Sequence, residues 1–263
     1  MERLLKVGVI NINTYKPRYS SLEKTLSLIE KSKKLELDMI IGPEWSLMDN
    51  NSGDEIAYPY YELEKLLYKI KNIATEELIL PGTAVISTKN MKMYNFLPVI
   101  YNKKVIFSTI KRKDGGTSFF NNGKFEIVGR DYLVKNEFNW KNIRIGVEIC
   151  ADSGTLYFNG TRNLDLQILV SSGVRITNLA LKKGGYLICS DGLPKGRKTY
   201  VIKTNEKYDP NSDVDLTDFR KLFKKKESSY LANFKYDSEM PFDFIAPYSR
   251  HKNLDIYHLI IKT

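Results

Sequence analysis

The chain has 263 residues, of which 42% are hydrophobic and 27% charged, and its 41 Lys and Arg against 31 Asp and Glu give a formal net charge of +10. This composition excludes a disordered chain, and a chain of this length can bury roughly three quarters of its unfolded surface. No stretch approaches the roughly 20 consecutive apolar residues of a membrane helix and the first residues do not have a signal-peptide pattern, so we expect a cytoplasmic protein.

The first third of the chain predicts alternating strands and helices. A short β-branched run predicts a strand over 4–12, and apolar residues at helical spacing predict a helix that begins at Ser20 or Ser21. A second buried strand over 38–44 contains a Gly-Pro turn. A second helix follows over 61–76, and a strand over 78–87 comes directly after it.

The rest of the chain predicts mainly strands. A hairpin is expected over 94–110, and a strand over 143–150 has an apolar residue at every second position. Further strands are predicted at 164–170, 185–189, 198–203, 242–245 and 254–261. Because strands outnumber helices and alternate with them only at the start, we expect a mixed α/β sandwich. Residues 1–263 are expected to form one domain, with the part from about 205 left open.

Cysteine and histidine are scarce, with two residues of each. Cys150 and Cys189 are too few for a disulfide framework and do not have the CxxC spacing of paired metal ligands, so no zinc site is expected. His251 and His258 both lie near the C-terminus, the only part of the chain that could supply a histidine base. The search for a catalytic site therefore turns to carboxylates, lysines and a thiol.

The positive net charge has two interpretations, a surface for nucleic acid or anionic lipid and a set of solvated lysines. The basic residues are spread along the chain, and the densest run, 219–226, is typical of a solvated helical face. Aromatic residues do not alternate with basic ones as a base-stacking surface requires. We therefore expect neither nucleic acid nor a membrane as a partner.

Three ionisable residues stand at the ends of predicted strands, where catalytic residues often lie: Glu44, Lys111 and Cys150. Taken singly, each has an ordinary interpretation as a turn-capping carboxylate, a solvated surface lysine or a small buried hydrophobic residue. Taken together, they favour a thiol nucleophile. A glutamate can remove the thiol proton, and a lysine can stabilise the thiolate and the oxyanion that forms when a carbonyl carbon is attacked.

Three stretches around these residues resemble the carbon-nitrogen hydrolase, or nitrilase, superfamily, whose members have a Glu-Lys-Cys triad in this order. The stretches are 38–47, which contains Pro43-Glu44; 94–111, which ends in Lys111; and 145–152, in which Gly146 precedes and Asp152 follows Cys150. The resemblance covers about residues 4–190. It implies a four-layer α-β-β-α sandwich with two mixed sheets flanked by helices.

The resemblance also implies a role for each residue. Cys150 would attack the substrate carbon, and Glu44 would take its proton and return it to the leaving nitrogen. Lys111 and the backbone N–H of Ala151 would form the oxyanion hole, with Asp152 structural. The substrate would be a small amide, cleaved through a thioester without a metal or organic cofactor, and the chain would form a homodimer.

Two departures from the family pattern bear on the substrate. The second glutamate that many members have after the lysine is absent from 114–120, and the usual signature after the nucleophile is replaced around 174–180. Glu148, two residues before the thiol, is a candidate substitute that binds substrate, with a buried structural carboxylate as the alternative. Lys113 is a second candidate for the lysine role, although the spacing favours Lys111.

The sequence leaves several functions open. Nitrile hydrolysis and N-acyl transfer use the same triad chemistry as amide hydrolysis. A non-catalytic nitrilase-like binding protein is also consistent with the residues, because a pocket can persist after catalysis is lost. Substrate specificity depends on loops such as 49–60, 114–124 and 153–163, whose shapes the sequence does not predict.

Overall fold

The computed structural model describes residues 2–14, 21–48, 57–74, 76–114, 125–129, 136–173, 176, 178–192, 199–212 and 240–262. The strands are β1 Glu2–Ile10, β2 Met39–Ile41, β3 Tyr58–Pro59, β4 Leu78–Leu80, β5 Ala84–Ser87, β6 Lys92–Tyr101, β7 Lys104–Ile110, β8 Glu126–Ile127, β9 Glu137–Trp140, β10 Ile143–Ile149, β11 Leu164–Ser171, β12 Leu181–Asp191, β13 Tyr200–Thr204, β14 Phe242–Ile245, β15 Ser249–His251 and β16 Leu254–Lys262. The helices are α1 Ser21–Ser32, α2 Tyr60–Ile73 and the single-turn α3 Thr155–Phe158. The basic run at 219–226 lies outside the described residues.

The strands form two mixed sheets. In the first sheet the order is β15-β16-β1-β2-β4-β6-β5-β3, with β7 and β8 paired to β6. In the second sheet the order is β14-β13-β12-β11-β10-β9. Parallel pairs join β1 to β2 and β2 to β4, and β10 to β11 and β11 to β12, while β16 and β13 pair antiparallel with their neighbours. The predicted α/β fold with two mixed sheets is confirmed.

Alternating side chains divide the apolar core into two layers. In β2, Met39 and Ile41 face the second sheet and pack with residues such as Val147 of β10. Ile40 points the other way and packs with Ile70 of α2 and other residues of α1 and α2. On the second sheet, Leu156 of α3 packs over Gly146 of β10, where a Cβ would overlap it. Helices therefore lie outside both sheets.

The predicted strand at 78–87 is two strands in the structure. Pro81-Gly82-Thr83 separates β4 from β5, and Gly82 has φ +94°, a conformation that breaks a strand. The short strands β3, β8, β9 and β15 were not predicted, and β12 is longer than the 185–189 expected. The predicted hairpin is confirmed as β6 and β7, joined through Asn102 and Lys103, which both have positive φ. None of the described helices is long and apolar enough to cross a membrane.

Gly82 is predicted to tolerate no side chain. A Cβ there would overlap the Pro43 carbonyl oxygen and Ser46 Oγ. Gly184 is a matched control, because its φ is also positive, +75°, but a Cβ there meets nothing within 4 Å. Gly184→Ala should cost about 1–2 kcal/mol of unfolding free energy from backbone strain. Gly82→Ala should cost about 3–5 kcal/mol, since overpacking adds to the strain. If urea unfolding shows the same loss of unfolding free energy for Gly82→Ala and Gly184→Ala, the contact with Pro43 does not contribute to stability.

Candidate active site

Glu44 lies in the loop that follows β2, and its side chain is completely buried. Hydrogen bonds hold the loop on both sides of Glu44, one to the last residue of β4 and one to the segment between β4 and β5. The Gly42 N–H donates to the Leu80 carbonyl oxygen at 2.7 Å, and the Trp45 N–H donates to Thr83 Oγ1 at 2.9 Å. These bonds explain why a Gly-Pro turn can hold a carboxylate inside the molecule.

Lys111 follows β7 and forms a buried ion pair with Glu44. Its Nζ lies 2.6 Å from Glu44 Oε1, and the lysine is only 2% exposed. The backbone N–H of Lys111 donates to the Asn95 carbonyl oxygen at 2.8 Å. Asn95 Nδ2 donates to the same Glu44 oxygen at 2.9 Å. Lys113, the other candidate, is exposed, so Lys111 is the lysine that reaches the carboxylate.

Cys150 comes directly after the last residue of β10 and adopts a left-handed backbone conformation, with φ +47°. Its thiol is in hydrogen-bond contact with the Glu44 carboxylate and also accepts the backbone N–H of Ser172, at the end of β11. Cys150 is also the first residue of a 3-10 turn, Cys150–Asp152, which contains Ala151. The structure thus brings Glu44, Lys111 and Cys150 together.

Asp152 joins the 3-10 turn that contains Cys150 to the segment that follows Lys111. Its two carboxylate oxygens accept the backbone N–H groups of Arg112 at 2.7 Å and Lys113 at 3.0 Å. A second link between the sheets runs from the Glu44 N–H to the Ser171 carbonyl oxygen at 3.3 Å. These contacts agree with the structural role expected for Asp152, since they fix the position of Lys111 relative to Cys150.

Burial and the ion pair set the charges of the cluster. Burial raises the pKa of the Glu44 carboxyl, and Lys111 opposes this effect. Burial lowers the pKa of Lys111, but the charge of Glu44, its hydrogen bond to the lysine and the nearby Cys150 and Asp152 together outweigh burial, so the net pKa is raised. Burial, together with the charge of Glu44, raises the pKa of the Cys150 thiol to about 12. The site thus has Lys111 Nζ paired with Glu44 Oε1 beside a neutral thiol, which needs a base to become a nucleophile.

Several solved structures have the same architecture. A glutamine-dependent NAD+ synthetase from Acinetobacter baumannii is 16% identical, with a TM-score of 0.57 over 81% of this chain and 44% of its own. A CN-hydrolase superfamily protein from Xanthomonas campestris, with an arsenic adduct in its active site, is 14% identical, with a TM-score of 0.55 over 99% of this chain and 91% of its own. The chain has the nitrilase-superfamily fold.

A third neighbour is a mutant of the amidase from Nesterenkonia sp. AN1, which shows the result of Michael addition of acrylamide at its active-site cysteine. It is 9% identical, with a TM-score of 0.54 over 81% of this chain and 89% of its own. The chain spans less than half the length of the NAD+ synthetases that it matches. By sequence, neither a family model nor a curated protein matches it. At these identities the likenesses show a shared fold.

Glu148 lies outside the cluster of Glu44, Lys111 and Cys150. Its Oε1 accepts the N–H of Leu156 at 3.0 Å, and its Oε2 accepts Gln167 Nε2 at 2.8 Å. These partners lie on the outer side of the second sheet, whereas Glu44 and Lys111 belong to the first sheet. The period-2 pattern placed Glu148 and Cys150 on one strand face, but β10 ends at Ile149 and the left-handed Cys150 turns the thiol to the other side. The contacts favour the structural interpretation of Glu148.

Glu148 predicts a pH-dependent stability. Burial raises its pKa from 4.5 to about 7, although the backbone N–H of Leu156 and the amide of Gln167 favour the charged form. The folded chain therefore binds this proton more tightly than the unfolded chain does. The stabilisation is complete below pH 4.5 and is lost as the pH rises through 7. Between pH 4.5 and 8, wild type should lose about 3 kcal/mol more unfolding free energy than Glu148→Gln. Parallel pH profiles in urea unfolding would contradict this.

Two residues of the site were not among the candidates from sequence. Asn95 contacts Glu44, and Ser172 contacts the thiol through its backbone. Asn95 stands in the Tyr94-Asn95 stretch that resembles the family, so a polar residue on an apolar strand was an available signal. Ser172 acts through an N–H that every residue except proline has, so the sequence offered no signal. Within the described ranges, no group of His, Cys, Asp and Glu could hold a metal ion.

Proposed function

We propose that the protein is a cysteine-nucleophile carbon-nitrogen hydrolase that cleaves a small, non-peptide amide through a thioester. The observation that carries this proposal is the buried cluster in which Lys111 Nζ lies 2.6 Å from Glu44 Oε1 and the Cys150 thiol contacts the same carboxylate. A buried ion pair beside a thiol is costly unless it serves a purpose. A general base next to a neutral nucleophile is the arrangement that acyl transfer needs.

In the acylation step, Cys150 Sγ attacks the carbonyl carbon while Glu44 takes the thiol proton. Glu44 Oε2 suits this role, because, apart from the contact of the carboxylate with the Cys150 thiol, this buried atom has no hydrogen-bond partner among the described residues, whereas Oε1 accepts from Lys111 and Asn95. The Lys111 ammonium group and the Ala151 N–H would stabilise the oxyanion. The carbon–nitrogen bond then breaks, and Glu44 returns its proton to the leaving nitrogen, which gives the thioester and an amine or ammonia.

In the deacylation step, Glu44 removes a proton from a water molecule that attacks the thioester carbon. A second oxyanion forms in the same place, and the carbon–sulfur bond breaks as this oxyanion collapses to the carbonyl. Glu44 gives its proton to the sulfur, which releases the carboxylic acid and restores the neutral thiol. The high pKa of Cys150 suits this last step, since the thiol is the stable resting form.

The neighbours support a carbon-nitrogen hydrolase, because the matched proteins include an amidase with a reactive cysteine and a synthetase that depends on glutamine. An unsubstituted carboxamide is the group that acrylamide and glutamine have in common. We therefore propose a primary amide as the substrate class. The homodimer and the cytoplasmic location remain predictions.

The test is incubation with a panel of short primary amides and nitriles, with intact-mass spectrometry for an acyl adduct and an assay for released ammonia. Cys189→Ala is the matched control, because Cys189 is the second cysteine of the chain and is buried in β12 outside the cluster. An adduct that forms in wild type and Cys189→Ala, but not in Cys150→Ala, together with ammonia release, is the expected result. Neither adduct nor ammonia from any compound would favour the non-catalytic binding protein.

A further inference from the structure

Asn95 holds two parts of the cluster and still has a free acceptor. Its side-chain Nδ2 donates to Glu44 Oε1, and its backbone carbonyl oxygen accepts the backbone N–H of Lys111. The side chain is 1% exposed, and within the described part of the chain its Oδ1 has no hydrogen-bond partner. A buried acceptor without a donor is costly, so such an atom calls for a ligand that supplies one.

The orientation of this amide follows from its neighbour. The Glu44 carboxylate only accepts hydrogen bonds, so the atom of Asn95 that faces it must be the NH₂ group. The other atom of the planar amide is therefore the carbonyl oxygen, which can only accept. A ligand that satisfies this atom must bring an N–H or O–H donor close to the Glu44 carboxylate.

Asn95 also lies in the same layer as the nucleophile. Leu97 and Val99, two and four residues further along β6, belong to the core between the two sheets, and Cys150 belongs to that core as well. The first sheet thus places Asn95 and Glu44 opposite the thiol of the second sheet. A substrate carbon bonded to Cys150 Sγ would have its remaining substituents next to these residues.

We propose that Asn95 Oδ1 accepts an N–H of the substrate's amide nitrogen and thereby selects amides over esters. This inference rests on the proposed function. Asn95 would bridge Glu44 and the leaving nitrogen, so that the nitrogen is held beside the group that protonates it. An ester oxygen has no hydrogen to donate and would leave Oδ1 unpaired. A site built to bind an N–H discriminates strongly against an analogue that lacks it.

The test compares an amide and an ester with the same acyl group in wild type and Asn95→Ala. The acyl group is the one from the amide panel that is hydrolysed fastest, and the ester is its p-nitrophenyl ester, which reacts readily with thiols. Loss of the bond to Glu44 should lower kcat/KM for both substrates. Loss of Oδ1 should lower kcat/KM for the amide roughly 10-fold more than for the ester.

A second variant protects the test against poor folding. Asn95→Ser keeps a small polar group in the place of the asparagine Cγ, although it is one bond short of direct contact with Glu44 Oε1. It lacks the amide carbonyl, so it should show the same change in the amide-to-ester ratio with better stability than Asn95→Ala. Equal losses for amide and ester in both variants would overturn the inference and leave Asn95 as a positioning residue for Glu44. Wild type that releases no ammonia from any amide would instead overturn the proposed function itself.

Discussion

Replacement of Cys150 by alanine should abolish amide hydrolysis and leave the fold intact. Loss of a catalytic nucleophile lowers kcat by about 10⁶-fold in comparable acyl-transfer enzymes. The change removes a single sulfur atom, and alanine tolerates φ +47° as well as cysteine does. The thiol is neutral at rest because its pKa is raised to about 12, so the Glu44–Lys111 pair keeps its charge balance. Ammonia release and thermal unfolding followed by circular dichroism measure the two effects.

Cys189→Ala is the control for this experiment. Cys189 is 1% exposed and lies within the second sheet, paired with Leu169 of β11. Its replacement should lower the free energy of unfolding by about 1 kcal/mol and leave the activity nearly unchanged. A Cys150→Ala protein that keeps more than a small fraction of the wild-type rate would show that another group is the nucleophile. The proposed mechanism would then be wrong at its first step.

Replacement of Lys111 by methionine should damage both activity and stability. Methionine has a similar length but no charge, so Glu44 would be left buried with Asn95 and the Cys150 thiol as its side-chain donors. Removal of one partner of a buried ion pair costs about 3–5 kcal/mol. Loss of one oxyanion donor should lower kcat by about 10²–10³-fold. Urea unfolding and kcat on the amide are the two measurements.

The double variant Glu44→Gln, Lys111→Met separates these two effects. Glutamine can still accept the hydrogen bond from Asn95, and neither partner is charged, so most of the lost stability should return. Activity should not return, because the general base is gone. If the double variant is no more stable than Lys111→Met alone, the ion pair does not account for the destabilisation. If it is active, Glu44 is not the base.

Much of the fold and the cluster could be predicted from the sequence. Apolar runs with period 2 or 3.6 indicated the strands and helices, and catalytic side chains tend to lie where strands end, which drew attention to Glu44, Lys111 and Cys150. The order of these residues within three motif-like stretches gave the fold family. These features depend on local pattern, which a single sequence contains.

What could not be predicted depends on backbone conformation and on contacts between distant segments. The break at Gly82 exists because the loop that carries Glu44 packs against it. Glu148 and the thiol lie on opposite sides of the strand, and not on the same side as the pattern predicted, because Cys150 has a left-handed backbone conformation. The contact between Ser172 and the thiol uses a backbone N–H. None of these has a signature in residue type or spacing.

The two links between the loops, from Asp152 to Arg112 and Lys113 and from Glu44 to Ser171, have a consequence for folding. Glu44 and Lys111 come from the first sheet and Cys150 from the second, so neither sheet contains a working set of residues when it folds alone. During refolding, catalytic activity should therefore return with the docking of the two sheets, later than the secondary structure of either.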